Sequence, residues 1–293
     1  MQNKNVVNLP VFNFNSKNGV LTITGTLGND SIRITKSSLN LIATAQGSYG
    51  TITKSYNYVL VRSIIFSGLA GNDVFVNNTE KPCTVDGGAG NDSLTGGRGN
   101  DIIRGGIGND IINGNGGNDI LFGNYGTTMA VVASPDKDTI NGGDGNDTIY
   151  GGSDTDTING GNGNDSIQGG TENDIINGGS GNDILVGGSN DDTISGGDGN
   201  DIINGDSGND DLSGDSGSDD INGGTGNDTL DGGSGNDDLS GDDGDDDLNG
   251  GDGDDIIDGG DGNDDSNDPN GDDLEDRDEE DDGDNENDDE EDD

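Results

Sequence analysis

From residue 87 onward the chain places one apolar side chain every nine residues. Leu94, Ile103, Ile112 and Leu121 open the series, Ile140, Ile149 and Ile158 continue it, and it runs to Ile257. Each is preceded by a polar, glycine-rich stretch, as in GGAGNDSLT at 87–95, GGRGNDIIR at 96–104 and GGIGNDIIN at 105–113. The repeat is G-G-x-G-N-D-x-(I/L)-x. Alternation about the apolar residue predicts a three-residue strand with the eighth position facing inward and the seventh and ninth facing out. Positions one to six predict a tight turn, because glycines at one, two and four permit positive φ and asparagine at five tolerates it. One turn and one strand per repeat make two repeats close a coil of eighteen residues. A short fixed period of this kind is the mark of a solenoid, whose units stack only on their neighbours.

Residues 1–86 carry a different pattern. VLTITG (20–25), SIRIT (31–35), LNLIATA (39–45), TITKSYNYVLV (51–61) and SIIFSG (63–68) are β-branched, partly alternating runs that predict strands. Two isolated copies of the nonapeptide, GTLGNDSIR at 25–33 and GLAGNDVFV at 68–76, tie this head to the solenoid. Its expected role is an N-terminal cap over an otherwise open β edge. Two gaps interrupt the clock: Asp73 to Asp92 and Asp119 to Asp138 each span 19 residues. The segment 123–141 reads as a ten-residue and a nine-residue unit, a full turn kept in phase with Thr128 where aspartate would stand. At the far end Ser266 replaces the apolar residue, and Asp273 keeps the beat only loosely. The expected organisation is therefore a β-rich cap over 1–86, a nonapeptide roll over 87–276 and a disordered acidic tail over 277–293.

Composition by itself points toward disorder. Of 293 residues, 62 are acidic and 11 basic, the net charge is −51, and aromatics make up 3 %. The strict period argues the other way. The charge is unevenly divided: residues 1–85 carry seven basic and three acidic residues, so the repeats and tail hold nearly all the negative charge. Such a surface repels nucleic acid and anionic membranes and attracts cations. The single cysteine, Cys83, excludes an intrachain disulfide and reads as a packed residue. No apolar run is long enough to span a membrane, and the first twenty residues contain no signal-type apolar stretch.

The candidate chemistry lies at the sixth position. Asp92, Asp101, Asp110, Asp119, Asp138, Asp147, Asp156, Asp165, Asp174, Asp183, Asp192, Asp201, Asp210, Asp219, Asp228, Asp237, Asp246, Asp255 and Asp264 occupy it. With eighteen residues per coil, Asp92 and Asp110 come together on one edge and Asp101 and Asp119 on the other, with strands stacked ~4.8 Å apart. Carboxylates that close repel unless a cation lies between them. Glycine-turn carbonyls plus carboxylates, with no histidine and no thiolate, form a hard oxygen site suited to Ca²⁺. One buried Leu or Ile contributes ~2 kcal/mol, while ordering each of nine residues costs ~1–2 kcal/mol. Apolar burial alone therefore falls short, and the expectation is a chain that folds on binding calcium. GDSG at 205–208 and 214–217 looks like a protease nucleophile motif. Both copies are in-phase repeat variants, and the absence of histidine removes the general base such a site uses. Pairs of carboxylates also suit a glycosidase, but so many stacked copies favour metal binding.

At these residues the chain resembles the repeats-in-toxin (RTX) family of hemolysin-type calcium-binding proteins, with the signature G-G-x-G-x-D-x-U-x. The resemblance covers roughly 87–267. It implies an all-β, right-handed parallel β-roll (a β-helix-like solenoid), with multiple Ca²⁺ held between stacked turns by carbonyls and the aspartate. It also implies a bacterial protein that is secreted or on the cell surface and ordered by extracellular calcium. Departures fall at position four (Asp154, Glu172, Asn190) and position two (Asp206, Asp215, Asp242). Glu172 fits a positive-φ site poorly. The acidic tail does not look like the family's export signal. The expected function is non-catalytic calcium binding; the alternative is an accessory repeat region of a secreted toxin or hydrolase, and the tail also suits an acidic calcium buffer or mineral-interacting protein. The outward Ser, Thr and Asn read as a solvated face, with glycan or matrix contact as the alternative.

Overall fold

The computed structural model describes residues 9–124 and 136–267. Among them every regular element is a strand, so no helix crosses a membrane. The strands form two long sheets of 13 and 14 members, and successive strands alternate between the sheets through most of the chain. Pairing is parallel throughout the repeats, with Ile158 beside Ile176 in one sheet and Ile167 beside Leu185 in the other. The architecture is a parallel β-roll, a solenoid as the period predicts and of the form that the resemblance implies. The eighth-position residues from Leu94 to Leu248 are buried and form one continuous core between the sheets.

The strands are longer than expected. A typical rung strand such as Ile175–Ser180 has six residues, covering positions seven to nine and then one to three of the next repeat. The turn is thus confined to positions four to six. Positive φ falls at positions two and four, as at Gly106 (123°) and Gly108 (119°), and not at position one. Glycine at position one is needed for space instead. A Cβ at Gly178 would lie 2.5 Å from Asp183 Oδ2 and 2.6 Å from the Gly196 carbonyl. Position five also departs from expectation: its asparagines have no positive φ but form a ladder, with Asn164 N–H donating to Asn146 Oδ1 at 3.1 Å and Asn182 N–H to Asn164 Oδ1 at 3.1 Å.

In the head, β1 (Val11–Asn15) runs antiparallel on β2 (Val20–Thr24) at the end of one sheet. At the end of the other, β3 (Ser31–Ser37), β4 (Asn40–Gly47) and β5 (Gly50–Asn57) form an antiparallel meander. Then β6 (Ser63–Ala70), β7 (Val74–Asn78) and β8 (Cys83–Ala89) carry the two sheets in parallel into the repeats. Phe66 and Phe75, one from each sheet, stack across the core with ring centroids 5.1 Å apart.

The reading of 123–141 as an in-phase turn is overturned. Thr128 lies outside the described residues, but the strands on either side settle the count. Ile112 pairs directly with Ile140 and Leu121 with Ile149, 28 residues apart where 18 is the rule. The ten extra residues add no rung. Gly123 and Asp138 meet as positions one and six do elsewhere, since a Cβ at Gly123 would lie against Asp138 Oδ2. By contrast Asp73 to Asp92 is two rungs plus one residue, and both lie on one edge.

Candidate metal centres along two edges

Each turn aspartate is drawn inside its turn by the extended strand that follows it and by the position-one glycine that leaves it room. From Asp92 to Asp255 all of the predicted aspartates are buried; Asp264, in the last turn, is half-buried. Their backbones and side chains interlock. On one edge Asp92 N–H donates to Asp110 Oδ1, Asp110 to Asp138 and Asp138 to Asp156, at 2.7 to 2.8 Å. The same ladder continues to Asp264. On the other edge Asp101 N–H donates to Asp119 Oδ1 and Asp119 to Asp147, each at 2.7 Å, and that ladder continues to Asp255. The two columns expected from the period are present, but Asp138 belongs with Asp110 and not with Asp119. The extra residues between 124 and 136 move every later aspartate to the edge opposite the one an in-phase turn would give it.

Oδ1 of each carboxylate is used in this way. The second oxygen, Oδ2, is different. From Asp92 to Asp246, with the single exception of Asp101, Oδ2 is buried and has no hydrogen-bond donor. It faces the space beside the position-one glycine, which the carbonyl of the stacked turn also bounds. A buried, undonated carboxylate oxygen needs a proton or a cation. Burial is the main cause of the raised pKa values here, opposed by the N–H bonds and reinforced by neighbouring carboxylates. Asp110 is raised to about 8, Asp156 to about 9 and Asp174 to about 7 from an ordinary 3.8. No three acidic side chains converge among the described residues, so any metal-binding set must draw on backbone carbonyls. The donor set is all oxygen and anionic, which fits a hard divalent cation.

The departures from the motif sit where the backbone demands. Asp154, Glu172 and Asn190 at position four have φ of 68°, 72° and 72°, and Asp206, Asp215 and Asp242 at position two have φ of 70°, 69° and 69°. Asp174, in the same turn as Glu172, still presents its undonated oxygen. Three participants were not expected. Asp30 and Asp73 in the head extend the first column, with Asp30 N–H on Asp73 Oδ1 and Asp73 N–H on Asp92 Oδ1, both at 2.7 Å. Cys83 is packed in the core, as expected, but it also stands in the place of aspartate atop the second column, where its N–H donates to Asp101 Oδ1 at 2.6 Å. Its position nine residues before Asp92 is the signal that could have found it.

Parallel coils with an oxygen-rich turn at each edge define a metal-binding β-roll. The family model for the RTX calcium-binding nonapeptide repeat matches residues 86–121, 132–167, 159–194, 177–212, 186–221, 213–248 and 231–265. These segments cover more than half of the chain, which belongs to that family; it is a calcium-binding repeat protein whose cofactor is Ca²⁺ in several copies. The matched segments leave out 122–131, close to where the stack gains residues without gaining a rung. No curated protein matches the chain.

Proposed function

We propose that this is a non-catalytic β-roll protein, secreted or displayed at the cell surface, whose repeat region folds on binding extracellular Ca²⁺ through its turn aspartates. The observation that carries this reading is the donorless Oδ2 repeated from rung to rung beside a backbone carbonyl. Bound calcium supplies positive charge to these buried oxygens. The chain supplies the carboxylate, held by the N–H of the turn above, and the carbonyl of the turn below. At 100-fold excess over its dissociation constant, each ion binding only the folded state adds ~2.7 kcal/mol. The head serves as a cap: β1 and the β3–β5 meander end both sheets with antiparallel strands, and the charged Lys36 and Lys81 flank Tyr58 there at 4.2 and 4.3 Å.

A calcium titration followed by calorimetry and far-UV circular dichroism tests the reading. The expected result is a strand signal that grows with bound calcium and vanishes in EDTA. Identical spectra in EDTA and millimolar Ca²⁺ would sink it. The second reading, an accessory region of a larger secreted toxin or hydrolase, draws support from the family match alone.

A further inference from the structure

We propose that the head turn 68–73 holds a calcium ion, and that each aspartate column is closed at its N-terminal end by a turn that holds none: 25–30 on one edge and 96–101 on the other. The proposal rests on the calcium reading above and extends it outside the residues matched by the family.

The turn 68–73 has the backbone of the roll. Leu69 and Gly71 have φ of 81° and 112°, at positions two and four. Asp73 is 1 % exposed, its Oδ1 accepts the Asp30 N–H, and its Oδ2 is buried with no donor. A Cβ at Gly68 would meet both Asp73 Oδ2 and the Gly87 carbonyl, the same pair of oxygens that surrounds each site in the roll. The turn stacked above it, 25–30, is 43 residues away in sequence.

The two closing turns differ in one backbone detail. At position two, positive φ holds from Leu69 to Gly260 except at Gly97 and at Asn124, which borders the extra residues; Thr26 lacks it too. In the turns of Thr26 and Gly97 the position-two N–H points inward. Thr26 N–H donates to Asp30 Oδ2 at 2.5 Å and Gly97 N–H to Asp101 Oδ2 at 2.6 Å. In both turns a hydrogen occupies the place beside Oδ2 that a cation would need; Asp101 Oδ1 is bonded by the Cys83 N–H as well, whereas Asp30 Oδ1 is buried without a donor. The cause lies in what is stacked above. Over 96–101 runs the segment 79–83, which is no nonapeptide turn: Arg98 N–H bonds the Thr79 carbonyl at 3.0 Å and Cys83 covers Asp101. GGRGND at 96–101 therefore matches the motif fully yet is closed, while GLAGND at 68–73, with leucine at position two, is open.

The full chain at saturating calcium, counted by native mass spectrometry, tests this. Asp73→Asn should bind fewer ions than the parent, Asp101→Asn the same number, and Asp183→Asn, a control in the roll, fewer. An unchanged count for Asp73→Asn beside a reduced count for Asp183→Asn overturns the head site alone. A reduced count for Asp101→Asn overturns the closing turn. A parent that binds no calcium overturns the calcium reading itself. Should Asp73→Asn fail to fold, terbium replaces calcium in the parent and in Tyr49→Leu. Tyr49 lies close enough to Asp30 and Asp73 to feel both carboxylates. Loss of tyrosine-sensitised terbium emission in Tyr49→Leu supports the head site, and undiminished emission overturns it.

Discussion

The head and the roll share two sheets but are held together by different physics. The head encloses a core of Leu21, Ile23, Ile32, Ile34, Leu41, Phe66 and Phe75, with two large apolar residues from strands such as β2 and β3, and its strands reach eight residues. The roll contributes a single Ile or Leu from each nonapeptide to the core and buries a carboxylate beside it. Hydrophobic burial scales with apolar area. A head rung with two such residues therefore gains about twice what a roll rung gains, and the roll also has to desolvate a charge. The lesson is that continuity of a sheet does not imply continuity of what stabilises it.

Removing calcium should break the comparison most sharply. In EDTA the roll from β9 (Ser93–Thr95) onward should lose its amide protection entirely while β2, β3 and β6 keep theirs, read by hydrogen exchange. Equal loss in both regions would show that the head is no independent core. Acidification should partly reverse the effect. Without metal, burial raises turn aspartates above the 3.8 of a free side chain, Asp92 to about 6 and Asp156 to about 9. The folded roll thus binds more protons than the unfolded chain, and its stability is greatest below about pH 4 and falls as pH rises through 6 to 9. Circular dichroism in EDTA should show strand signal gained between pH 8 and pH 4; a flat response would mean that the carboxylates are not the obstacle. Within the head, Phe66→Ala should destabilise by ~3–5 kcal/mol, measured as a shift in the denaturation of the head's signal in EDTA. The smallest effect belongs to the outer face. Ile175 is 52 % exposed, and Ile175→Ser should change the stability of the calcium-loaded protein by no more than ~0.5 kcal/mol.

Much of this was legible in the sequence because the period of nine is rigid. The inward Ile and Leu, the two edges and the failing last rung all follow from it: Ser266 pairs with Leu248 yet lies exposed. The parts that were not legible share a cause. Val131 stands nine residues before Ile140, just as Val85 stands nine before Leu94. Periodicity treats both 19-residue gaps alike, and only strand pairing shows that one holds a single rung and the other two. Likewise, the direction in which the Gly97 N–H points depends on what lies over the turn, and no property of GGRGND records that. Glycine at position one looked like a φ requirement; its neighbours show it to be a space requirement.

The eighteen-residue coil has a mechanical consequence. Wound into the roll, eighteen residues advance the chain by one strand spacing, ~4.8 Å. Drawn out straight, the same residues span ~60 Å at ~3.3 Å each. Releasing a single coil therefore pays out more than ten times the length that it occupies. The roll is a spool, and the distance between its two ends is set by how many coils are wound.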